Sequence, residues 1–278
     1  MLNNKKLVEM EVDLGWDDVD VFPSKIYPDV AFLFQRMNNV AIEKMEVSSK
    51  DTVLDIGCGR AIDSIRLASR GGNCLGLEPS NKMINYAKNR IAVSGRQISL
   101  VQGIGEYLPF KTNSLDKVIC KGALDHFPDP AKAIEEIARV LKPQGKAVIL
   151  IANFESLGFK LGKWLFTVER IFPRWKRKRN NVWQIPVDHT CKLDYRILKH
   201  LVKPCLKVEQ SSGVSLLFGL PGWSAFLDKL PLDVSLTILK ILDKVAYHLP
   251  LFSDVIVLRC EVNNDGRINS EIQKDFTS

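Results

Sequence analysis

The hydrophobic pattern has two rhythms along this chain. Residues 30–46 carry apolar groups at helical spacing, after a stretch in which Pro23 and Pro28 break any long helix. From Val53 onward, short apolar runs alternate with helix-period segments. Val53–Ile56 ends in Gly57-Cys58-Gly59. A helix is predicted over 61–70, with Ile62, Ile65, Leu67 and Ala68 toward the core and Gly71-Gly72 stopping it. Cys74–Leu77 is a second strand, closing at Glu78. A helix from Asn81 to Ile91 follows, with Met83, Ile84 and Ala87 on one face. Ile98–Val101 and Lys117–Cys120 are the third and fourth strands. Asp129 can cap a helix that opens with Pro130, and Ile134, Ile137, Ala138 and Leu141 keep its inner face apolar. Lys142-Pro143-Gln144-Gly145 ends that helix, and Ala147–Ile151 is a fifth strand.

Strand and helix thus alternate up to about residue 152. That order predicts an α/β fold: a doubly wound, mostly parallel seven-stranded sheet with helical insertions. After Ile151 the rhythm is lost. Two further strands are predicted around Leu206–Glu209 and Val255–Cys260, with a mostly helical apolar stretch between them. The chain divides into an N-terminal helical or lid segment (1–47) and a ligand-binding core (48–152). A basic and aromatic insertion (153–200) follows, then a sheet-completing part with a helical substrate-side insertion (201–278). Phe218, Leu220, Trp223, Phe226, Leu227 and Leu230 are candidates to roof a pocket, or to pack plainly on the sheet.

Composition narrows the class. With 278 residues, 46% hydrophobic and 26% charged, the chain can bury a core without staples, which excludes collagen-like, disordered and disulfide-scaffold classes. The net charge of +7 is localised: residues 159–179 hold eight basic groups and one acidic, whereas residues 1–30 hold three basic and seven acidic. The six cysteines form no C-x-x-C pair and no zinc spacing, so no metal is expected, and they suit a reducing compartment. The first residues lack the apolar core of a signal peptide, and no apolar run reaches about 18 residues, which points to the cytoplasm.

The chemistry is concentrated in the first half. In VLDIGCG (Val53–Gly59) a strand delivers Asp55 to a turn whose glycines let the backbone approach a ligand. Glu78 ends the next strand, where an acid can accept both hydroxyl hydrogens of a ribose. Nicotinamide dinucleotides and S-adenosylmethionine share this layout. The dinucleotide fingerprint needs a third glycine, and this chain reads G-C-G-R-A-I. A carboxylate at Asp55 is unfavourable beside a diphosphate and favourable beside a sulfonium and an ammonium, which favours S-adenosyl-L-methionine.

VLDIGCG, GLEPS (Gly76–Ser80), GIGEYLPF (Gly103–Phe110), SLDKVICKGALDHFPDP (Ser114–Pro130) and RVLKPQG (Arg139–Gly145) occur in order. Together they resemble the class I S-adenosylmethionine-dependent methyltransferases, in the subgroup acting mostly on small molecules and lipids, over about residues 48–152. The resemblance implies that Asp55, Gly57, Cys58 and Gly59 border the methionine part of the cofactor. Glu78 would hold the ribose, with Pro79 and Ser80 beside it and Met83 against the adenine. Gly105 and Glu106 would line the adenine side, while Cys120 and Lys121 would close over the sulfonium end. This chain departs from the family at Ile104, where an acid usually accepts from the adenine amino group. It departs also at Lys121, where a small or amide residue is commoner; its ammonium is expected to turn outward, toward an acidic substrate.

Methyl transfer is an in-line displacement that needs proximity, alignment and a dry site, and a hydroxyl acceptor needs a base as well. His126 is the first candidate base and Asp125 an alternative; His189 is a second candidate from the insertion. The expected function is methyl transfer to a small or lipid-like acceptor, at oxygen. A non-catalytic partner subunit, an RNA methyltransferase and a nicotinamide-dependent oxidoreductase are the alternatives. The block Phe159–Arg179 has three readings: a solvated insertion, a peripheral membrane contact in which aromatics sink and cations meet anionic lipid, or RNA contact. Lys121-Gly122-Ala123 stands where an amino-group nucleic-acid methyltransferase usually shows Pro-Pro-aromatic, so nucleic acid is disfavoured.

Overall fold

The computed structural model describes Gly15, Trp16, Asp18, residues 25–171 (save the side chains of 168–171) and residues 191–263. Pro28 opens the first helix, α1 (Pro28–Met45), which buries Val30, Leu33, Val40, Ala41, Ile42 and Met45. There follow β1 (Thr52–Ile56), α2 (Ile62–Ala68), β2 (Asn73–Glu78), α3 (Asn81–Ser94), β3 (Ile98–Gln102) and β4 (Leu115–Lys121). A 3₁₀ turn (Leu124–His126), α4 (Pro130–Val140) and β5 (Leu141–Ala152) complete the regular half. The second half holds α5 (Leu157–Ile171), α6 (Tyr195–Val202), β6 (Leu206–Val214), α7 (Trp223–Leu227), α8 (Leu232–His248) and β7 (Val255–Val262).

The seven strands form one sheet in the order β3-β2-β1-β4-β5-β7-β6. The first five pair in parallel, and β7 runs antiparallel between β5 and β6. On one face α4 and α6 cover Leu54, Ile56, Val118 and Ile149 through Ile134, Ile137, Leu198 and Val202. On the other, Leu33, Ile42 and Met45 of α1 and Leu67 of α2 cover Val53, Ile119, Val148 and Leu150. The sequence order reverses between β1 and β4. Beyond the carboxyl ends of those strands the connecting loops part, and in open α/β sheets this is where ligands bind.

Several expectations shift in detail. α4 stops at Val140 because Leu141 turns extended (ψ 136°) and pairs with Leu115, so the fifth strand begins before the turn that the sequence places between helix and strand. In α2 the inner face is Asp63, Ser64 and Leu67, and Ile62 is 40% exposed. Ala61 enters this helix in the left-handed conformation (φ 57°), which rotates its polar residues toward the strand ends. α6 follows a stretch without periodicity, yet Asp194 caps it by accepting from Arg196 N and Ile197 N at 2.7 and 2.9 Å.

Candidate active site

A cavity of about 660 Å³ opens beyond the ends of β1, β2 and β4. Asp55 is the next-to-last residue of β1 and Glu78 the last of β2, so both carboxylates reach it from the sheet floor. Between them the chain turns through Gly57 and Gly59, both at positive φ. At Gly57 a Cβ would come within 2.5 Å of the Ala123 Cβ, so this position closes the gap between the β1 and β4 loops only as glycine.

Glu78 is buried, and each of its oxygens accepts a backbone N–H at 3.0 Å, from Gly59 and from Ser80. Burial raises its pKa, and the two N–H donors oppose that rise. Ser80 caps α3, its Oγ accepting from Met83 N, and the Met83 side chain forms part of the wall. Asp55 accepts from Ser64 Oγ at 2.6 Å. Burial, then the neighbouring Asp63, pushes its pKa up to about 7, against the pull of Ser64 and Lys121. Cys58, in the turn between the two acids, is held as the neutral thiol mainly by burial.

Lys121 does not turn outward. Its ammonium pairs with Asp63 of α2 and bonds Asn38 Oδ1 of α1, all three residues facing the cavity. The cause is the rotation of α2, which places a buried carboxylate where the lysine finds a partner. Cys120 is fully buried in the sheet and is not part of the wall, while Lys121, the next residue, is.

Gly105 and Glu106, expected on the adenine side, line the cavity together with Gly103 and Ile104, and Phe127 packs so closely that a Cβ on Gly105 would meet its ring at 2.6 Å. Glu106 Oε1 accepts from Asp129 N at 3.2 Å, and its buried Oε2 has no hydrogen-bond partner among the described residues. Of the candidate bases, His126 faces the cavity, and its ring lies 6.1 Å from that of Trp16. Asp125 is buried in the same turn and does not line the cavity. His189 and the block from 172 to 179 lie outside the described residues.

The individual residues of the remaining wall were not legible in the sequence, although its pattern marks 1–47 as a helical or lid segment. None of the expected roof residues from 218 to 230 reaches the cavity; α7 packs on α1, where Ser224 Oγ donates to Asp29 at 2.7 Å. The wall comes instead from Phe34, Met37 and Asn38 of α1, Ile62 of α2, and Trp16 and Asp18 of the N-terminal segment. Asp18 accepts from Arg60, and the Trp16 carbonyl accepts from Ser80 Oγ at 2.5 Å, so this segment is tied to both cofactor-side loops. The helical spacing of 30–46 was visible, but nothing local showed which α1 residues would face a ligand.

These groups fit the cofactor expected from the sequence. Buried carboxylate acceptors, Asp55 and Glu78, stand at the ends of the adjacent strands β1 and β2 and line the cavity. Two further buried carboxylate oxygens, Asp63 Oδ1 and Glu106 Oε2, lack partners among the described residues. A family model described as a methyltransferase domain matches residues 54–149. Demethylmenaquinone methyltransferase of Desulfitobacterium hafniense is 31% identical over 176 residues, covering 57% of this chain and 70% of that one. Ubiquinone biosynthesis O-methyltransferase of Nitrosomonas europaea is 37% identical over 98 residues, covering 35% of this chain and 42% of that one. The crystal structure of the YcgJ protein from Bacillus subtilis superposes with a TM-score of 0.53 at 19% identity, over 82% of this chain and 98% of that one.

Proposed function

This chain belongs to the class I S-adenosylmethionine-dependent methyltransferases, and from that premise we propose that it methylates a small, apolar, quinone-like or lipid-like acceptor at oxygen. The observation that carries the reading is the uncharged part of the cavity wall. Trp16, Phe34, Met37, Ile62, Phe127 and Pro128 give the cavity an apolar wall that suits an apolar acceptor. The relatives' names, demethylmenaquinone methyltransferase and ubiquinone biosynthesis O-methyltransferase, support a quinone-type acceptor.

When bound, the cofactor supplies a methyl group on a sulfonium. The residues of this chain prepare the transfer. Asp55 faces the cationic methionine end and Glu78 the ribose, while the Gly57–Gly59 turn admits the ligand against the backbone. His126, the candidate base that lines the cavity, takes the proton of the acceptor hydroxyl; Asp125, buried in the same turn, orders that turn.

The same reading extends to a lipid surface. Trp164 of α5 is 61% exposed, with Lys160 one turn before it placed over the Phe252 ring, and Phe166, 45% exposed, points to another side of the helix. Aromatics at the boundary with cations behind them suit peripheral contact with an anionic bilayer, where an apolar acceptor would be found.

Transfer of labelled methyl groups from S-adenosylmethionine to extracted quinols and lipids tests the function directly. His126→Gln is expected to lower kcat by about 100-fold or more with an oxygen acceptor while leaving cofactor binding unchanged. Unchanged turnover in that variant would remove the base, and labelling of carbon or nitrogen would remove the oxygen assignment.

A further inference from the structure

Lys121 places a cation in a cavity that has to receive another cation. Its ammonium touches Asp63 and Asn38, from α2 and α1. Asp63 is only 5% exposed, lines the cavity, and its second oxygen, Oδ1, has no hydrogen-bond partner among the described residues. Asp55 stands close enough for the Asp63 charge to act on it and is anchored by Ser64. The other ionisable groups around Asp55 are Cys58, Cys74 and Cys120, whose pKa values its charge helps to raise, and Glu78 across the turn. Once Asp55 is ionised, as a cationic ligand favours, Asp55, Asp63 and Lys121 sum to a single negative charge.

We propose that Lys121 is a positioning residue: acting through Asp63, it holds this end of the cavity at one net negative charge and so sets how strongly the site prefers the sulfonium cofactor over its neutral thioether product. The inference rests on the cofactor assignment. Its physical basis is that two carboxylates in a poorly solvated site do not both stay ionised without a cation; one takes up a proton. With Lys121 spent on Asp63, Asp55 is left to face the ligand. S-adenosylmethionine carries one positive charge more than S-adenosylhomocysteine, so the ratio of their affinities reports the charge of the site.

The test is calorimetric binding of both ligands to the wild type, K121R, K121M, D63N and D63N/K121M at pH 7.5. K121R keeps the charge and should keep the ratio. D63N leaves an unbalanced ammonium beside the sulfonium, and the preference for S-adenosylmethionine should fall roughly tenfold. The double variant restores one negative charge and should return the ratio to within about threefold of wild type. K121M should capture a proton, which sulfonium binding expels; the heat then depends on the ionisation enthalpy of the buffer more than in wild type. Should the D63N substitution prevent folding, K121R and K121M, which leave Asp63 intact, still separate charge from packing. A ratio that stays constant across the series, or a double variant that does not recover it, overturns the inference alone. Loss of both ligands from the wild type would overturn the cofactor assignment with it.

Discussion

At the scale of single residues, the site is governed by where charge is buried. Asp55 sits at the strand end with its pKa raised to about 7, chiefly by desolvation and then by Asp63. In the free protein the folded-state pKa lies above the unfolded one. Its stabilising contribution is thus full below the ordinary carboxyl range and is lost as pH rises through about 7. Asp254, also buried and raised to about 7, acts in the same direction. A cationic ligand reverses the balance at Asp55, because it favours the ionised form. The melting temperature of the free protein is expected to fall between pH 6 and 8, and the affinity for S-adenosylmethionine to rise over the same interval. Thermal melts and binding isotherms across that range check both; an affinity that is flat with pH would show that Asp55 does not face the cationic end. Asp55 and Glu78 were legible in the sequence because one interrupts an apolar run just before its glycine turn and the other closes the next run. Asp63 was not, since the apolar residues beside it suggested the opposite face of α2. Only the structure shows that Ser64 and Lys121 draw that face inward.

At the scale of elements, successive strand–turn–helix units deliver their groups to one cavity, and the tightest turn is the one after β1. Gly57 has φ 66° and lies against Ala123. Gly57→Ala combines a left-handed backbone with steric overlap and should cost on the order of 2 kcal/mol of stability. It should also weaken S-adenosylhomocysteine binding at least tenfold, since the β1 and β4 loops would be forced apart. Thermal denaturation and calorimetry on the one variant read both effects; full binding despite a lowered melting temperature would mean that the turn is structural only. Local signals of this kind explain why the regular half was readable. Asp129 accepts from Lys132 N and Pro130 opens α4, as their side-chain chemistry requires. α6 carries an equally good cap at Asp194, and its apolar positions Leu198 and Val202 are four apart; the signal was present, although its neighbourhood is basic and irregular. The part played by α1 was beyond reach. Whether Phe34 and Met37 face a ligand depends on how the helix crosses the face of the sheet, and that is fixed by contacts with β4, β5 and α8 distant in sequence.

At the scale of the whole molecule, the carboxyl end of the sheet gathers the cavity and the start of α5 on one side of the fold, because β5 ends at Ala152 and α5 begins at Leu157. Among the described residues no helix is long and apolar enough to cross a membrane. α5 nevertheless exposes Leu161, Trp164 and Phe166, while its Gly158 packs against the loop at Leu217–Phe218. The sequence running on from this helix, through residue 179, is strongly basic. Exposed aromatics beside cations gain little in water and a good deal at a headgroup boundary, and the two contributions respond differently to salt. Vesicles containing an anionic phospholipid are expected to sediment the protein at physiological ionic strength, and to retain a substantial fraction at about threefold higher salt, because the aromatic contribution is not screened. W164A/F166A should reduce the retained fraction several-fold with little change in melting temperature, as both side chains are largely exposed. Binding that vanishes at the higher salt and is indifferent to these two residues would make the contact purely electrostatic. If RNA then competed at low salt, the basic block would be serving phosphates in place of lipid.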